Sequence, residues 1–339
     1  NTLDIESRLF QLDPMGDFQE IQLPGGSAFV AEDRYEANIT YGRPLAEGLT
    51  FQTSLGGEYS KISQDGAGGL TRTFYRPKGF VNLAWQASDS LDIRARIERE
   101  VGQLDFFDFV ASVNVSTDNQ NASNPNLVPP QSWKFEVEAT KTLGPWGSTT
   151  GRAYYEAISD IVDQIPLSPT AEAPGNIDRA TRYGIEWTST FNFDPIGWRG
   201  AKLDLEVTLQ RTRLDDPLTG ESRPISENTE SYIEAELRHD IPGTDWAYGF
   251  EFERYRQSPG FRLNEFSRFV TQPAFVGAYV EHKDVFGLRV RGSVFNLIDA
   301  HDDFYREAYV GRRDGPIAFI EDRSRRIGPI FTISINGSF

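Results

Sequence analysis

Apolar and polar residues alternate one for one along most of this chain, and that period excludes more folds than any other feature it has. Near the middle of the first half, Leu91, Ile93, Ala95 and Ile97 stand against Asp92, Arg94, Arg96 and Glu98. At the end, Phe331, Ile333, Ile335, Gly337 and Phe339 share one side, and Thr332, Ser334, Asn336 and Ser338 share the other. Successive side chains of a strand point to opposite faces, so each stretch reads as a strand with one greasy and one wet side. About fourteen such segments can be counted, the first over residues 3–11 and the last over 327–339. Trp133, Phe135, Val137 and Ala139 oppose Lys134, Glu136 and Glu138. Leu203, Leu205, Val207 and Leu209 oppose Asp204, Glu206, Thr208 and Gln210. No helix of useful length is expected, because turn residues punctuate the chain throughout.

A half-apolar strand can face a soluble core, or it can face lipid on one side and enclosed water on the other. The chain has 339 residues, of which 38% are apolar and 13% aromatic. No apolar run approaches the roughly 18 residues of a spanning helix, which excludes a helical membrane protein. A mean hydropathy of −0.47 does not exclude a barrel, whose strands are only half apolar. There is no cysteine, hence no disulfide, no thiolate metal site and no thiol nucleophile. The net charge of −16 disfavours nucleic acid as a partner, since phosphate contacts need clustered Lys and Arg.

Two patterns decide for the barrel. The connections alternate in length: residues 44–48, 87–90, 144–147, 194–200, 240–245 and 283–285 are short. Those between them are mostly longer, notably 105–132, 159–176, 215–228 and 300–326. Short turns at one end and long loops at the other are the outer-membrane pattern, with the short turns in the periplasm. Aromatics also gather near strand ends, at Tyr41, Trp85, Trp133, Phe191, Phe193, Trp246 and Phe286. Rings with one apolar and one polar edge belong at a membrane interface. The expected fold is therefore all-β: a transmembrane antiparallel β-barrel, a single domain or barrel segment over residues 1–339.

Several stretches resemble the C-terminal part of a TonB-dependent outer-membrane receptor barrel. Residues 80–95 read FVNLAWQASDSLDIRA, similar to that family's strand, Trp, short turn, strand. Residues 124–133 read NPNLVPPQSW, similar to its Asn-Pro-x-Leu loop, and 296–299 read NLID, close to its Asn-Leu-Phe-Asp. Asn124, Pro125 and Asn126 also suit a turn that restarts an extended chain, and Asn296 suits a side-chain cap on a strand end. The resemblance implies a barrel of about 22 strands, with fourteen supplied here and no plug domain recognisable in the chain. It leaves three forms open: a fragment of a receptor, one part of a split receptor, or a smaller free-standing barrel. It implies partners too: outer-membrane lipid and lipopolysaccharide, the barrel assembly machinery, a small-molecule nutrient, and TonB with a plug-bearing segment or second chain. The assembly signal it implies falls on Phe331, Ile333, Ile335 and Phe339.

The expected function is ligand capture at the outer loops and passage through the lumen, not catalysis. The other reading is a scaffold barrel in an outer-membrane complex without transport. Arg94, Arg96, Glu136, Glu186, Glu206, Glu234 and Glu251 are expected to line the lumen and set selectivity. Phe106, Phe107 and Phe109, followed by an Asn- and Ser-rich run, suit stacking of a sugar or small ligand, unless they pack the loop on the rim. Asp302 and Asp303 place acid at the mouth beside His301. His301 with these carboxylates would suit a general base or a divalent ion, but no nucleophile stands beside it. His239 and His282 read as interfacial rings at short-turn ends. No cofactor or metal site is expected, for no phosphate loop, HExxH or GxSxG occurs.

Overall fold

A ribbon with one charged and one greasy edge gains nothing alone and must pair so that like faces align. In the computed structural model, which describes residues 2–6, 8–21, 27–65, 69–109, 112–114, 119–121 and 124–337, the segments do this in one antiparallel sheet. Of its 21 strands, those that form the wall are β1 (Thr2–Glu6), β2 (Ser27–Ala46), β3 (Leu49–Asp65), β4 (Thr71–Ser88), β5 (Leu91–Val101), β6 (Gln131–Thr142) and β7 (Gly147–Pro166). They continue with β8 (Glu172–Asn192), β9 (Ala201–Asp215), β10 (Thr229–Asp240), β11 (Trp246–Gln257), β12 (Phe275–Val285), β13 (Leu288–Phe295) and β14 (Ile330–Asn336). Each pairs with the next in the chain, from β1–β2 through to β13–β14. No register joins β14 back to β1 or β2 among the described residues, so the sheet is open.

The register aligns faces across many strands. Leu83, Ala95, Val137, Ala153, Ile185 and Leu209 are successive partners and form one apolar row. One residue away on each strand, Arg94, Glu138, Arg152 and Glu186 form a charged row on the opposite face. The apolar face has no protein cover: Ile39 is 81% exposed, Leu55 73% and Ile333 78%. Soluble monomers rarely leave so large a contiguous apolar surface uncovered. A lipid-facing wall requires it.

The connections alternate as expected. One end of the sheet has turns of 47–48, 89–90, 143–146, 193–200, 241–245 and 286–287; the other has the longer segments. Between β12 and β13 the turn is Phe286 (φ 57°) and Gly287 (φ 84°), both left-handed, a pair whose twist matches that of the flanking strands. At Gly48 (φ 71°) a Cβ would lie 2.9 Å from the Gln86 carbonyl, so the β2–β3 turn needs glycine.

Four expectations are corrected. Residues 159–176 are mostly strand, since β7 runs to Pro166 and β8 starts at Glu172. Residues 300–326 hold two further strands, His301–Tyr309 and Ile317–Arg326, paired with each other. Residues 3–11 divide, because Leu9–Leu12 leaves the sheet to form a hairpin with Phe18–Ile21. Residues 269–282, which alternate in the sequence like one strand, break at Pro273, which lacks the N–H that a ladder needs. Its first part, Glu265–Gln272, pairs with His301–Tyr309 instead.

Buried cores occur only at the long-loop end among the described residues. One joins Val30, Ile62, Leu104, Phe109 and Leu127. The other joins Ile158, Ala180, Leu214 and Ile225. Asn296, fully buried at φ 58°, does cap the end of β13: its amide donates to the carbonyls of Ala300 (3.0 Å) and Gly328 (3.2 Å) and accepts from Ala300 N (2.6 Å).

Candidate functional site

The charged face comes first, because its chemistry follows directly from strand parity. Arg94, Arg96, Glu136, Glu186, Glu206, Glu234 and Glu251 all project from it, opposite the apolar rows. From β5 to β8 its charges compensate one another. Arg96 pairs with Glu98 (2.6 Å) and lies 3.9 Å from the Phe80 ring centroid; Arg94 reaches Glu138 at 3.9 Å. Arg152 bridges Glu136 (3.4 Å) and Glu186, while Arg182 meets Glu156 at 3.0 Å. From β9 to β11 the balance fails. Glu206 faces Glu234, and Glu234 faces Glu253 across the strand pairs. Glu206 and Glu253 have no ion pair among the described residues, and Glu234 accepts only the Tyr232 hydroxyl (2.5 Å). Glu251 is held by Arg291 at 2.5 Å.

At the long-loop end, residues remote in sequence meet in a buried polar knot. Asp216, its side chain 1% exposed, accepts Arg223 Nε at 2.6 Å and Arg313 Nη2 at 2.7 Å. It also accepts the backbone N–H of Leu218 (2.8 Å) and Thr219 (3.1 Å). Arg223 donates onward to Asp163 (3.0 Å) and Ser226 (3.2 Å). The Phe261 ring lies under both cations, 4.6 Å from Arg223 and 5.3 Å from Arg313. Beside it, buried Glu172 takes Arg262 at 2.5 Å. Burial alone would raise the Asp216 pKa, but hydrogen bonding and charge from Arg313 outweigh it and hold the carboxyl below its ordinary value. The knot thus ties the ends of β7 and β8 to the loops before β10, β12 and β14. Sequence reasoning missed these residues, and no spacing signal marks them.

The aromatic loop residues divide. Phe109 is 2% exposed in the core with Val30 and Leu127, so its ring offers a ligand no surface, which corrects the expectation for that residue. Phe106 is half-buried against the same core, and Phe107 alone is exposed, at 61%. The tight 3₁₀ turn Phe106–Phe109 that does this begins with Phe107 N donating to the Asp105 carboxylate at 2.9 Å. Asp302 and Asp303 lie elsewhere, on the His301–Tyr309 strand, with no hydrogen bond, ion pair or ring contact to the Phe106–Phe109 turn. Asp302 accepts Thr271 (2.8 Å) and Arg325 (2.9 Å); Asp303 accepts Gln272 and lies 3.5 Å from His301. Both carboxylates are therefore engaged by local donors. His239 stacks edge-on with Trp198 and Tyr248, and His282 with Trp246, all at the short-turn end. Phe331, Ile333 and Ile335 share the bare apolar face of β14, while Phe339 lies outside the described residues.

The rim turn carries a pH dependence. Burial, and then the charge of Asp105, push the Asp108 carboxyl up to about 6. A raised carboxyl favours the protonated folded form, so the packing is strongest below pH ~4 and weakens as pH rises through about 6. Cleavage in residues 102–109, by proteases matched for activity at each pH, should increase severalfold from pH 4 to 7. In Asp108→Asn it should stay flat at the low-pH level.

An all-antiparallel wall with a bare apolar face, a charged opposite face and long loops at one end defines an outer-membrane β-barrel protein. The family described as "TonB dependent receptor-like, beta-barrel" matches residues 27–297. The chain belongs to the TonB-dependent receptor β-barrel family, whose members lie in the outer membrane of Gram-negative bacteria. No curated protein matches it. Among solved structures it is similar to the copper transporter OprC (TM-score 0.66, 14% identity), covering 97% of this chain and 51% of that one. The ferric citrate transporter FecA follows the same fold (TM-score 0.63, 11% identity, 95% and 47% covered). So does the FrpB iron transporter from Neisseria meningitidis (TM-score 0.60, 11% identity, 91% and 46% covered). The chain spans about half the length of these structures.

Proposed function

We propose that this chain forms part of the wall of a receptor that takes up a small nutrient, a metal ion or metal chelate, across the outer membrane. The observation that carries the reading is the segregation of the two faces. Charge from every strand between β5 and β11 projects on one side, and the other side is mainly apolar, with Arg99, Arg211, Arg254 and Arg256 confined to its long-loop end. A wall built this way encloses a wet passage, and its charged rows set what passes. The long-loop end supplies the capture surface, with exposed Phe107 beside it; Asp302 and Asp303 act there by holding the loop strands together. The neighbours named for copper, ferric citrate and iron support the substrate class. Passage is driven by TonB once a plug-bearing segment or second chain fills the lumen. No covalent step is involved, and His301→Ala leaves uptake unchanged. Phe331, Ile333, Ile335 and Phe339 serve as the strand read by the barrel assembly machinery.

The test is uptake of labelled ferric citrate, ferric ion and copper by cells carrying the complete receptor. Replacing Glu206 and Glu234 together by Gln removes facing charges that no cation balances. Uptake of at least one probe should change about three- to tenfold, at equal surface expression. Unchanged uptake of all three, or none in the parent, would refute the reading.

A further inference from the structure

Between β5 and β8 one carboxylate stands outside the charge compensation of its face. Glu100, on β5, has no ion pair and no hydrogen bond among the described residues. The cations around it are taken. Arg96 holds Glu98 (2.6 Å) and Arg182 holds Glu156 (3.0 Å). Lys134 lies 3.6 Å from Glu136, and Lys78 holds Glu36 (3.1 Å) and Glu58 (3.3 Å). Arg76, the next cation toward the long loops, packs on the Phe74 ring at 5.5 Å and makes no ion pair with Glu100. Ser132 is the direct partner of Glu100 on β6 and of Ile158 on β7. It is 7% exposed, yet its hydroxyl neither donates nor accepts among the described residues. Buried hydroxyls are nearly always paired, so one left open calls for a partner from outside the chain.

Both groups open into one cavity. It holds about 580 Å³ and reaches Gly102 and Pro130 at its long-loop end, where Gly102 N donates to the Pro130 carbonyl at 2.7 Å. Phe80, Ile158 and Ile161 give it an apolar wall. Parity puts Glu100, Ser132 and Ile158 on the charged face, so the cavity belongs to the lumen side of the sheet. Direct cross-strand partners have Cβ atoms about 4.5–5.5 Å apart, so one small donor can meet the carboxylate and the hydroxyl together. The chemistry selects the donor. A metal ion needs several convergent oxygens or imidazoles, and no three His, Asp or Glu side chains gather to hold one among the described residues. An anion is repelled by Glu100. A primary ammonium brings three N–H donors on a compact charge, with apolar carbon behind it.

We infer that this cavity binds the primary ammonium group of a small organic cation. The ammonium donates to a Glu100 carboxylate oxygen and to Ser132 Oγ, and the first of these is a charge-assisted bond in a site of reduced dielectric. The carbon chain behind it lies against Phe80, Ile158 and Ile161. The inference deepens the transport reading and rests on it, since it takes the charged face to line a wet passage. The nutrient, or the organic part of its chelate, then carries a free amine.

The experiment is saturation-transfer NMR on the complete receptor in nanodiscs, with hexylamine, hexan-1-ol and hexyltrimethylammonium as probes. Partition into lipid is the same for every variant and cancels in the difference between them. The proteins are the parent, Glu100→Gln, Ser132→Ala and Asp92→Asn, the last removing a charge from the same face beside the short turn at 89–90. Heat-modifiable migration confirms that each is folded. Hexylamine should bind Glu100→Gln about tenfold and Ser132→Ala about threefold more weakly than the parent, and Asp92→Asn equally well. Hexanol should not distinguish the parent from Glu100→Gln. Hexyltrimethylammonium, which has the charge but no N–H, should bind the parent at least about threefold more weakly than hexylamine. Equal hexylamine binding in the parent and Glu100→Gln, or equal binding of the quaternary probe, would overturn the site. So would a parent that binds no hexylamine, because another part of the receptor would then fill the cavity. Should Glu100→Gln fail to fold, Ser132→Ala and the quaternary probe still decide. Hexylamine binding lost with uptake intact sinks the site alone; uptake lost with hexylamine binding intact sinks the transport reading alone.

Discussion

Asp216→Ala releases the long-loop cap as one unit while the membrane wall stays folded. The carboxylate is the shared acceptor for two guanidinium groups, those of Arg223 and Arg313, in a site where its own side chain is 1% exposed. Removing one partner of a buried ion pair costs about 3–5 kcal/mol, because the other charge is left without compensation. Here Arg313 loses its carboxylate, Arg223 loses one of two and keeps Asp163, and the backbone N–H groups of Leu218 and Thr219 lose theirs. The penalty falls on the loops and not on the strand ladders below. New protease sites should therefore open together in residues 216–228, 258–264 and 310–316 on intact outer membranes. Heat-modifiable migration of the barrel should not change. Asp216→Asn keeps the shape but not the charge, and should open the same sites less. Opening of the 216–228 loop alone would show that the knot does not couple the loops. Since Arg313 holds the Asp216 carboxyl below its ordinary 3.8, the pairing is complete above pH ~4 and is lost only in stronger acid.

This knot also marks where sequence reading stops. In the membrane, one face must be apolar and the other wet, so parity assigns Val137 to lipid and Glu138 to the charged face without further help. Above the membrane both faces of a strand meet water, and the alternation lapses. That is why residues 159–176 look like a loop although β7 and β8 run on through most of them. Side-chain pairing between loops leaves no periodic trace. Arg313 and Asp216 are 97 residues apart, and Arg262 and Glu172 are 90 apart. Three Phe residues within four positions advertise an aromatic cluster, but their spacing does not say which ring turns inward. Phe109 does so because Leu127 and Val30, from other parts of the chain, meet it there. Asn296 was legible because its partners, Ala300 above all, are local. The same distinction explains Gly79. The residue is plain in the sequence, but only the register sets Leu55, Arg99 and Trp133 in one row with it.

Val137→Arg should be among the most costly single changes to the wall, and Thr188→Arg among the cheapest, although both put the same cation on a spanning strand. Val137 is 53% exposed on the apolar face, between Ala95 and Ala153 in the row. It lies six residues above the turn that starts at Leu143, which at about 3.3 Å per residue and 45° tilt is roughly 14 Å, near the bilayer midplane. Arginine there costs about 2–4 kcal/mol. Thr188 projects from the charged face of β8 opposite Glu206, which has no cation of its own. An arginine at that position stays in water and gains a carboxylate, so its effect should lie within about 1 kcal/mol. Denaturant unfolding of the receptor in lipid vesicles measures both. Were Thr188→Arg the damaging change and Val137→Arg the neutral one, the faces would be reversed, and every assignment of wall to lipid and lumen with them. A soluble sandwich predicts a different result again. There Val137 would face a core, and replacing it would abolish folding in water, not shift stability in lipid. The one-residue alternation thus makes a claim about solvent on each side of the sheet, and this pair of arginines tests it at two positions on opposite faces.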